Sequence, residues 1–300
     1  MVHVTRVLAL ALLLLAASIP AVAQDSSYAR IIICALASPE MYGRGMQHRG
    51  DSIAAELLRR ELDGYDGIKP LAKNYFQYFR FPRTTTRPPI VQSGYRSQNV
   101  CAYIPGKSDT MIVLTAHYEH LGMHGDTVFY GAHDNASGTA AVMDIARVLS
   151  YQNRHYTYVI LFFGGEEAGL IGSSYFSDVP LIKMNKVKLL INLDLFCGGD
   201  EGLMVVNAED ERTKPYVDLL DEINRDHQYA SKIARRPNAA NSDHYPFTAL
   251  CPAVFIYTLG GPYGGYHAPQ DTCEACGLGN YSNFITLLHT FLERLERHAR

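Results

Sequence analysis

Four near-continuous apolar runs constrain this chain more than any other feature: "TMIVLTAHY" at 110–118, "YTYVILFF" at 156–163, "VKLLINLDLF" at 187–196 and "AVFIYTL" at 253–259. A strand with one wet face alternates apolar and polar residues, whereas these do not, so they read as central strands covered on both sides. Between the first two lies "SGTAAVMDIARVLS", which places Ala141, Ile145 and Leu149 on one side of a helix. "ERTKPYVDLLDEINRDH" and the terminal "SNFITLLHTFLERLERHAR" read as two more helices. Strands alternating with helices predict an α/β fold, a three-layer sandwich with a mixed, mostly parallel central sheet. Upstream, "NYFQYFRF" alternates and suits an edge strand, and Ile53, Leu57, Leu58 and Leu62 stand at helical spacing after a turn-rich entry.

The residues able to do chemistry follow directly on the apolar runs. His117 closes the first, Glu166 and Glu167 follow the second in "FFGGEEAGLIGS", Asp194 sits at the end of the third, and His267 lies in the loop after the fourth. Open parallel sheets bind ligands outside the carboxyl ends of their strands, so these side chains are expected to meet at one rim. Asp134, in "GAHDNASGTA" before the central helix, joins the set. Adjacent carboxylates at the mouth of a buried strand repel each other and resist desolvation, which calls for a cation that the side chains do not supply. Two imidazoles with several carboxylates form an N/O ligand set suited to zinc, with cobalt or manganese as replacements. One catalytic zinc needs three protein ligands, so five ligands and a spare carboxylate fit two ions better.

Each residue also has a plainer reading. Glu166 and Glu167 fit a solvated turn into a helix, and Asp134 fits a helix cap, although Asn135 or Ser137 can cap in its place. His120, His124 and His244 read as structural or exposed histidines; Asp243 and Asp271 read as supporting or turn residues. Tyr266, next to His267, is a candidate substrate contact in a Tyr-rich loop.

The chain starts "MVHVTRVLALALLLLAASIPAVAQ", where Arg6 precedes a short apolar core and Ala21-Val22-Ala23 resembles a signal-peptidase site. Residues 1–23 are therefore expected to be a signal peptide and 24–300 a single domain, exported to the periplasm or the medium with no membrane anchor in the mature form. The formal net charge of −3 disfavours a nucleic-acid partner, and Arg80, Arg83 and Arg87 fall in the Pro- and Thr-rich loop "FPRTTTRPP". Six cysteines, Cys34, Cys101, Cys197, Cys251, Cys273 and Cys276, suit disulfides in an oxidising compartment. Cys273 and Cys276 can pair with each other, pair elsewhere or stay reduced; a zinc knuckle would need a second CxxC, which is absent.

These motifs resemble those of the M28 metallopeptidases, zinc aminopeptidases on a phosphorylase/hydrolase-like α/β fold. "DNASG" and "GEEAGLIGS" carry the resemblance most specifically, and "GRGMQHRGDSIAAELL", "QNVCAYIPG", "NSDHYPF" and "YHAPQDT" follow in the family's order. The resemblance implies a peptide substrate and two zinc ions per chain. It implies that His117 and Asp194 hold one ion, Glu167 and His267 the other, Asp134 bridges them, and Glu166 is the general base. Two departures stand out. Glu119 occupies the place of an aspartate that orients the first histidine, and His133, expected to face solvent, replaces a residue often acidic. Glutaminyl cyclases share the fold and ligand pattern with one zinc, but generally carry Trp before the last ligand, where this chain has Tyr266. A binding module that has lost its metal is a third reading, opposed by the full ligand set. Side-chain preference, the end of the peptide attacked and oligomeric state are left open.

Overall fold

The structure, a computed structural model, describes residues 26–81, 94–260 and 265–299. The expected leader at 1–23 and most of the 81–89 loop, with Arg83 and Arg87, lie outside the described residues. The four apolar runs form strands: β4 (Met111–His117), β7 (Thr157–Phe163), β8 (Val187–Leu193) and β11 (Ala253–Leu259). Around them stand β1 (Lys69–Pro70), β2 (Phe76–Arg80), β3 (Arg96–Ile104), β9 (Gly202–Val206) and β10 (Ile233–Arg236). Together they make a nine-stranded sheet ordered β1-β3-β7-β4-β8-β11-β9-β10, with β2 paired to β3 alone, as an edge strand should be. β7, β4, β8 and β11 run parallel to one another, and β3 and β9 join antiparallel at either side. A separate hairpin joins β5 (Gly122–His124) to β6 (Thr127–Phe129).

Alternation along each central strand divides the core into two layers. Ile112, Leu114, Ile160, Phe162, Ile191, Val254 and Ile256 face the larger cluster, while Val113, Val159, Leu161, Phe163 and Leu190 face the smaller. Both faces are apolar, which is why the strands read as unbroken hydrophobic runs. The larger layer is completed by α1 (Ser26–Leu36), α2 (Gly50–Asp63), α3 (Gly138–Ser150), α5 (Lys214–His227) and α6 (Tyr281–Arg297). In the smaller layer, Phe176 of α4 (Ile171–Asp178) packs on Phe163 and Phe247. Within α2 the buried side is Ala54, Ala55, Leu58 and Leu62; Ile53 is exposed, contrary to its place in the apolar spacing. Small residues let α2 approach the sheet, and the stripe turns away from Ile53.

Two disulfides, Cys34–Cys273 and Cys197–Cys276, both lie in the larger layer and tie the segment at 273–276 to α1 and to the loop after β8. Cys273 and Cys276 thus bridge to separate elements, and Cys101 and Cys251 are free and buried.

Candidate metal centre

The strand ends deliver the acidic and imidazole groups to one place. His117 is the last residue of β4, Asp194 follows β8 directly, and Glu166 and Glu167 follow β7 after two glycines. Gly165 has φ +75°, and a Cβ there would lie 2.8 Å from the Phe81 ring, so the turn into the glutamates requires glycine. Gly131 does the same for Asp134: its φ is +60°, and a Cβ would meet the Asp134 carbonyl oxygen at 2.2 Å and the His120 ring at 2.5 Å.

His117 Nε2 lies 3.2 Å from Asp134 Oδ1 and 3.3 Å from Asp194 Oδ1. His267 Nε2 lies 3.0 Å from Asp134 Oδ2 and 3.1 Å from Glu167 Oε2. Asp134 therefore stands between two groups, one with His117 and Asp194, the other with Glu167 and His267. The structure brings together all six residues singled out from sequence: Glu166 lines, with Asp134 and Asp194, a cavity of about 240 Å³ beside them. Asp194 is held by a chain of polar groups, since its Oδ2 accepts from Ser242 Oγ at 2.7 Å and Ser242 accepts from Asn192 Nδ2 at 2.8 Å.

His120, read from the sequence as a structural or exposed histidine, stands at the site. It is fully buried, and its Nδ1 lies 2.7 Å from Glu167 Oε1 and 4.0 Å from Asp134 Oδ2. His120, Asp134 and Glu167 offer ligand atoms within metal-binding reach of one another, as do His117, Asp134 and Asp194. Its place in the "HYEH" stretch, three residues from His117, is the available sequence signal.

A divalent cation fits this donor set. Both ring nitrogens of His120, Glu167 Oε1, Asp194 Oδ1 and Glu119 Oε2 are buried without a hydrogen-bond partner. The short contact between His120 Nδ1 and Glu167 Oε1 lacks hydrogen-bond alignment, and among the described residues the side-chain cations within 4 Å of these carboxylates are histidines alone. Buried acids left this way are costly unless a positive ion sits among them. Electrostatics agree. Burial opposes charge on His117, but Asp194, Glu166 and Asp134 outweigh it and hold its pKa well above the ordinary value. Hydrogen bonds to Asp134 and Glu167 lift His267 to about 10. Burial pushes the Glu166 carboxyl well above the usual range, opposed by His117 and reinforced by Glu167.

The surrounding residues correct two expectations. His133 is buried, not solvent-facing: its Nδ1 accepts the Cys197 N–H at 3.1 Å and its own N–H donates to Asp271 Oδ1 at 2.8 Å. Glu119 Oε2 is 3.6 Å from His117 Nδ1, beyond hydrogen-bond range, while the Glu119 backbone oxygen is 3.3 Å away. The Glu119 carboxylate instead accepts the Glu167 N–H at 3.0 Å. Asn135, not Asp134, accepts from Gly138 N–H at the start of α3.

Arg44 is another residue without a role from sequence. Fully buried, it donates to the carbonyls of Tyr118, Leu36, Tyr130, Gly131 and Asp134, joining the end of α1 to the loops after β4 and before α3.

A sheet of this topology, with histidine and carboxylate side chains gathered at its strand ends, defines an α/β sandwich of the zinc exopeptidase kind. The chain belongs to peptidase family M28, whose model matches residues 99–292. Aminopeptidase YwaD of Bacillus subtilis is 28% identical over 185 residues, which are 56% of this chain and 37% of that protein. A probable zinc metalloprotease of Leptosphaeria maculans is 31% identical over 170 residues, covering 54% of this chain and 37% of its own. The chain spans about a third to a half of the length of the first curated relatives it matches. Among solved structures, a Zn-dependent exopeptidase of Parabacteroides distasonis superposes with a TM-score of 0.72 at 15% identity, over 89% of this chain and 97% of that one. The glutaminyl cyclase of Porphyromonas gingivalis gives 0.73 at 16%, over 90% and 98%. At these identities both report the fold.

Proposed function

We propose that this chain is a zinc-dependent exopeptidase that removes N-terminal residues from peptides, exported from the cytoplasm and built as one peptidase domain from residue 24 onward. The observation that carries the reading is the position of Asp134 between two ligand groups, with Glu166 on the adjoining cavity wall. His117 and Asp194 would hold one zinc and Glu167 and His267 the other, with Asp134 between them and His120 in reach of the second group. Zinc so held would polarise a peptide carbonyl and make water more acidic.

The protein's own groups perform the proton transfers. Glu166 is fixed at its backbone, where its carbonyl accepts the N–H groups of Gly169 and Leu170 at 2.8 Å each. Its carboxylate accepts a proton from the attacking water and later delivers it to the departing amine, so one group serves as base and then as acid. Burial raises its pKa above the ordinary carboxylate range, a direction that favours uptake of a proton. Phe255 and Tyr257 add aromatic surface to the cavity wall.

The glutaminyl cyclase fold is close, yet the two-group ligand arrangement and Tyr266 in place of tryptophan favour hydrolysis. Two disulfides support function in an oxidising compartment, and no helix among the described residues is long and apolar enough to cross a membrane. The test is incubation of the zinc-loaded protein with a mixed peptide library and mass spectrometry of the products. Peptides shortened by their first residue support the reading. Loss of ammonia indicates a cyclase, loss of the last residue a carboxypeptidase, and unchanged peptides a binding module.

A further inference from the structure

The cavity beside the candidate metal centre is lined also by Arg236, an exposed residue and the last of β10. Successive strand residues point to opposite faces. Arg235 turns towards α5, where Asp218 lies 2.8 Å away and Asp221 also bonds it. Arg236 turns to the other face. The register pairs it with Val206, Val206 with Phe255 and Phe255 with Asn192, so Arg236 shares a face with the cavity wall and with the support of Asp194. Its guanidinium has no acidic partner among the described residues, in contrast to its neighbour. Asn241 adds an amide to the same wall.

We propose that Arg236 is the substrate's carboxylate anchor, so that the preferred substrates are short peptides carrying a carboxylate close to the scissile bond. The inference rests on the peptidase reading and on two zinc ions. The two zinc ions would offset the carboxylates Asp134, Glu166 and Asp194 of the cavity wall, on which Arg236 is the one side-chain cation among the described residues. A guanidinium in such a place selects an anion, binds a carboxylate through two parallel hydrogen bonds and disfavours lysine or arginine nearby. The cavity, about 240 Å³, is below the roughly 300–1,000 Å³ of sites that enclose drug-sized ligands, which suits one or two residues rather than a long segment. The carboxylate has two sources: the free C-terminus of a dipeptide, or an Asp or Glu side chain next to the cleaved bond.

The test separates binding from turnover. Leucyl-glycine with its amide replaced by CH2–NH, as free acid and as carboxamide, is titrated calorimetrically into the zinc-loaded protein, Arg236→Gln and Arg236→Lys. The expected result is a free acid bound about tenfold more tightly than its carboxamide, a charge-assisted contact of that order. Arg236→Gln should bring the ratio to near one and Arg236→Lys should keep part of it. No acid preference by the unaltered protein either in this pair or between the CH2–NH analogues of leucyl-aspartamide and leucyl-asparaginamide overturns the proposal, as does an Arg236→Gln protein that weakens acid and amide alike, the mark of a structural role. Hydrolysis of leucyl-glycine, leucyl-glycinamide and leucyl-aspartamide then identifies the source. Preference for the first assigns the C-terminal carboxylate, preference for the third the side chain, and equal rates overturn the proposal while leaving the peptidase reading in place. Acid-selective binding without any cleavage upholds Arg236 and removes the peptidase reading instead.

Discussion

The carboxylate of Asp271 accepts the backbone N–H of Asp134 at 3.1 Å, and that of His133 at 2.8 Å with its other oxygen. One side chain thereby ties the loop that carries His267 to the loop that carries the residue between the two ligand groups. Outer partners of this kind fix ligand orientation, and their loss costs roughly 10- to 100-fold in metal affinity. Asp271→Asn keeps the shape but loses one of the two bonds, because the amide nitrogen cannot accept, and weakens the other. Zinc competition against a chromogenic chelator should show a loss in that range, while the metal-free protein melts within about 10 °C of the original, as expected for one lost and one weakened bond. Unchanged zinc affinity would remove Asp271 from the support of the site.

Arg44 makes a larger contribution to folding. Its replacement by methionine removes the guanidinium from five carbonyl oxygens, most of them buried, and burial has already lowered its own pKa to about 10 against the pull of Asp271 and Asp134. Removing one member of a buried charged network costs about 3–5 kcal/mol. Urea denaturation of Arg44→Met should show a loss of that size, and Arg44→Lys a smaller one. A loss below about 1 kcal/mol would contradict the role assigned here.

Thiol labelling checks the cysteine pairing. Alkylation of denatured, unreduced protein should modify Cys101 and Cys251 only, and reduction should release Cys34, Cys197, Cys273 and Cys276. Both bridges close long loops, for which chain-entropy arguments give about 4–5 kcal/mol each. Reduction should therefore lower the melting temperature by about 10 °C or more. A dipeptide-spaced fragment containing Cys273 joined to Cys276 would overturn the pairing.

His289 gives a pH dependence that is independent of the metal centre. Burial lowers its pKa from 6.5 to about 4, and Arg154 and Arg147 act in the same direction. The unfolded chain takes up a proton below pH 6.5 and the folded protein resists until about 4, so stability falls across that window as pH decreases. A shift of this size corresponds to about 3 kcal/mol. Metal-free His289→Leu should lose less stability than the unaltered protein between pH 7 and 4; parallel curves would contradict the assignment.

The central strands were legible in the sequence because burial on both faces removes polar residues, and β4, β7, β8 and β11 fall within the four apolar runs. β10 was not, since a short strand at the sheet edge carries mixed residues such as Arg235 and Arg236 that pattern alone assigns to a loop, and β9, although interior and apolar, is only five residues long and opens on a glycine. The ligand candidates were legible because strand ends in a parallel sheet converge, a rule that needs no knowledge of side-chain packing. His120 and Arg44 were hidden for the opposite reason. A buried histidine three residues from a ligand, or an arginine that serves only backbone carbonyls, is distinguished by its three-dimensional neighbours. His133 was misjudged on the same ground: its burial comes from the Cys197 and Asp271 loops, distant in the chain.

The most direct measurement is zinc content and peptide turnover of Glu166→Gln beside the unaltered protein. The account predicts close to two zinc ions per chain in both, with hydrolysis lowered by roughly 10²- to 10⁴-fold in the variant, because a general base is lost and no ligand is. A zinc-loaded variant with ordinary turnover, or an unaltered protein that holds no zinc, would contradict it.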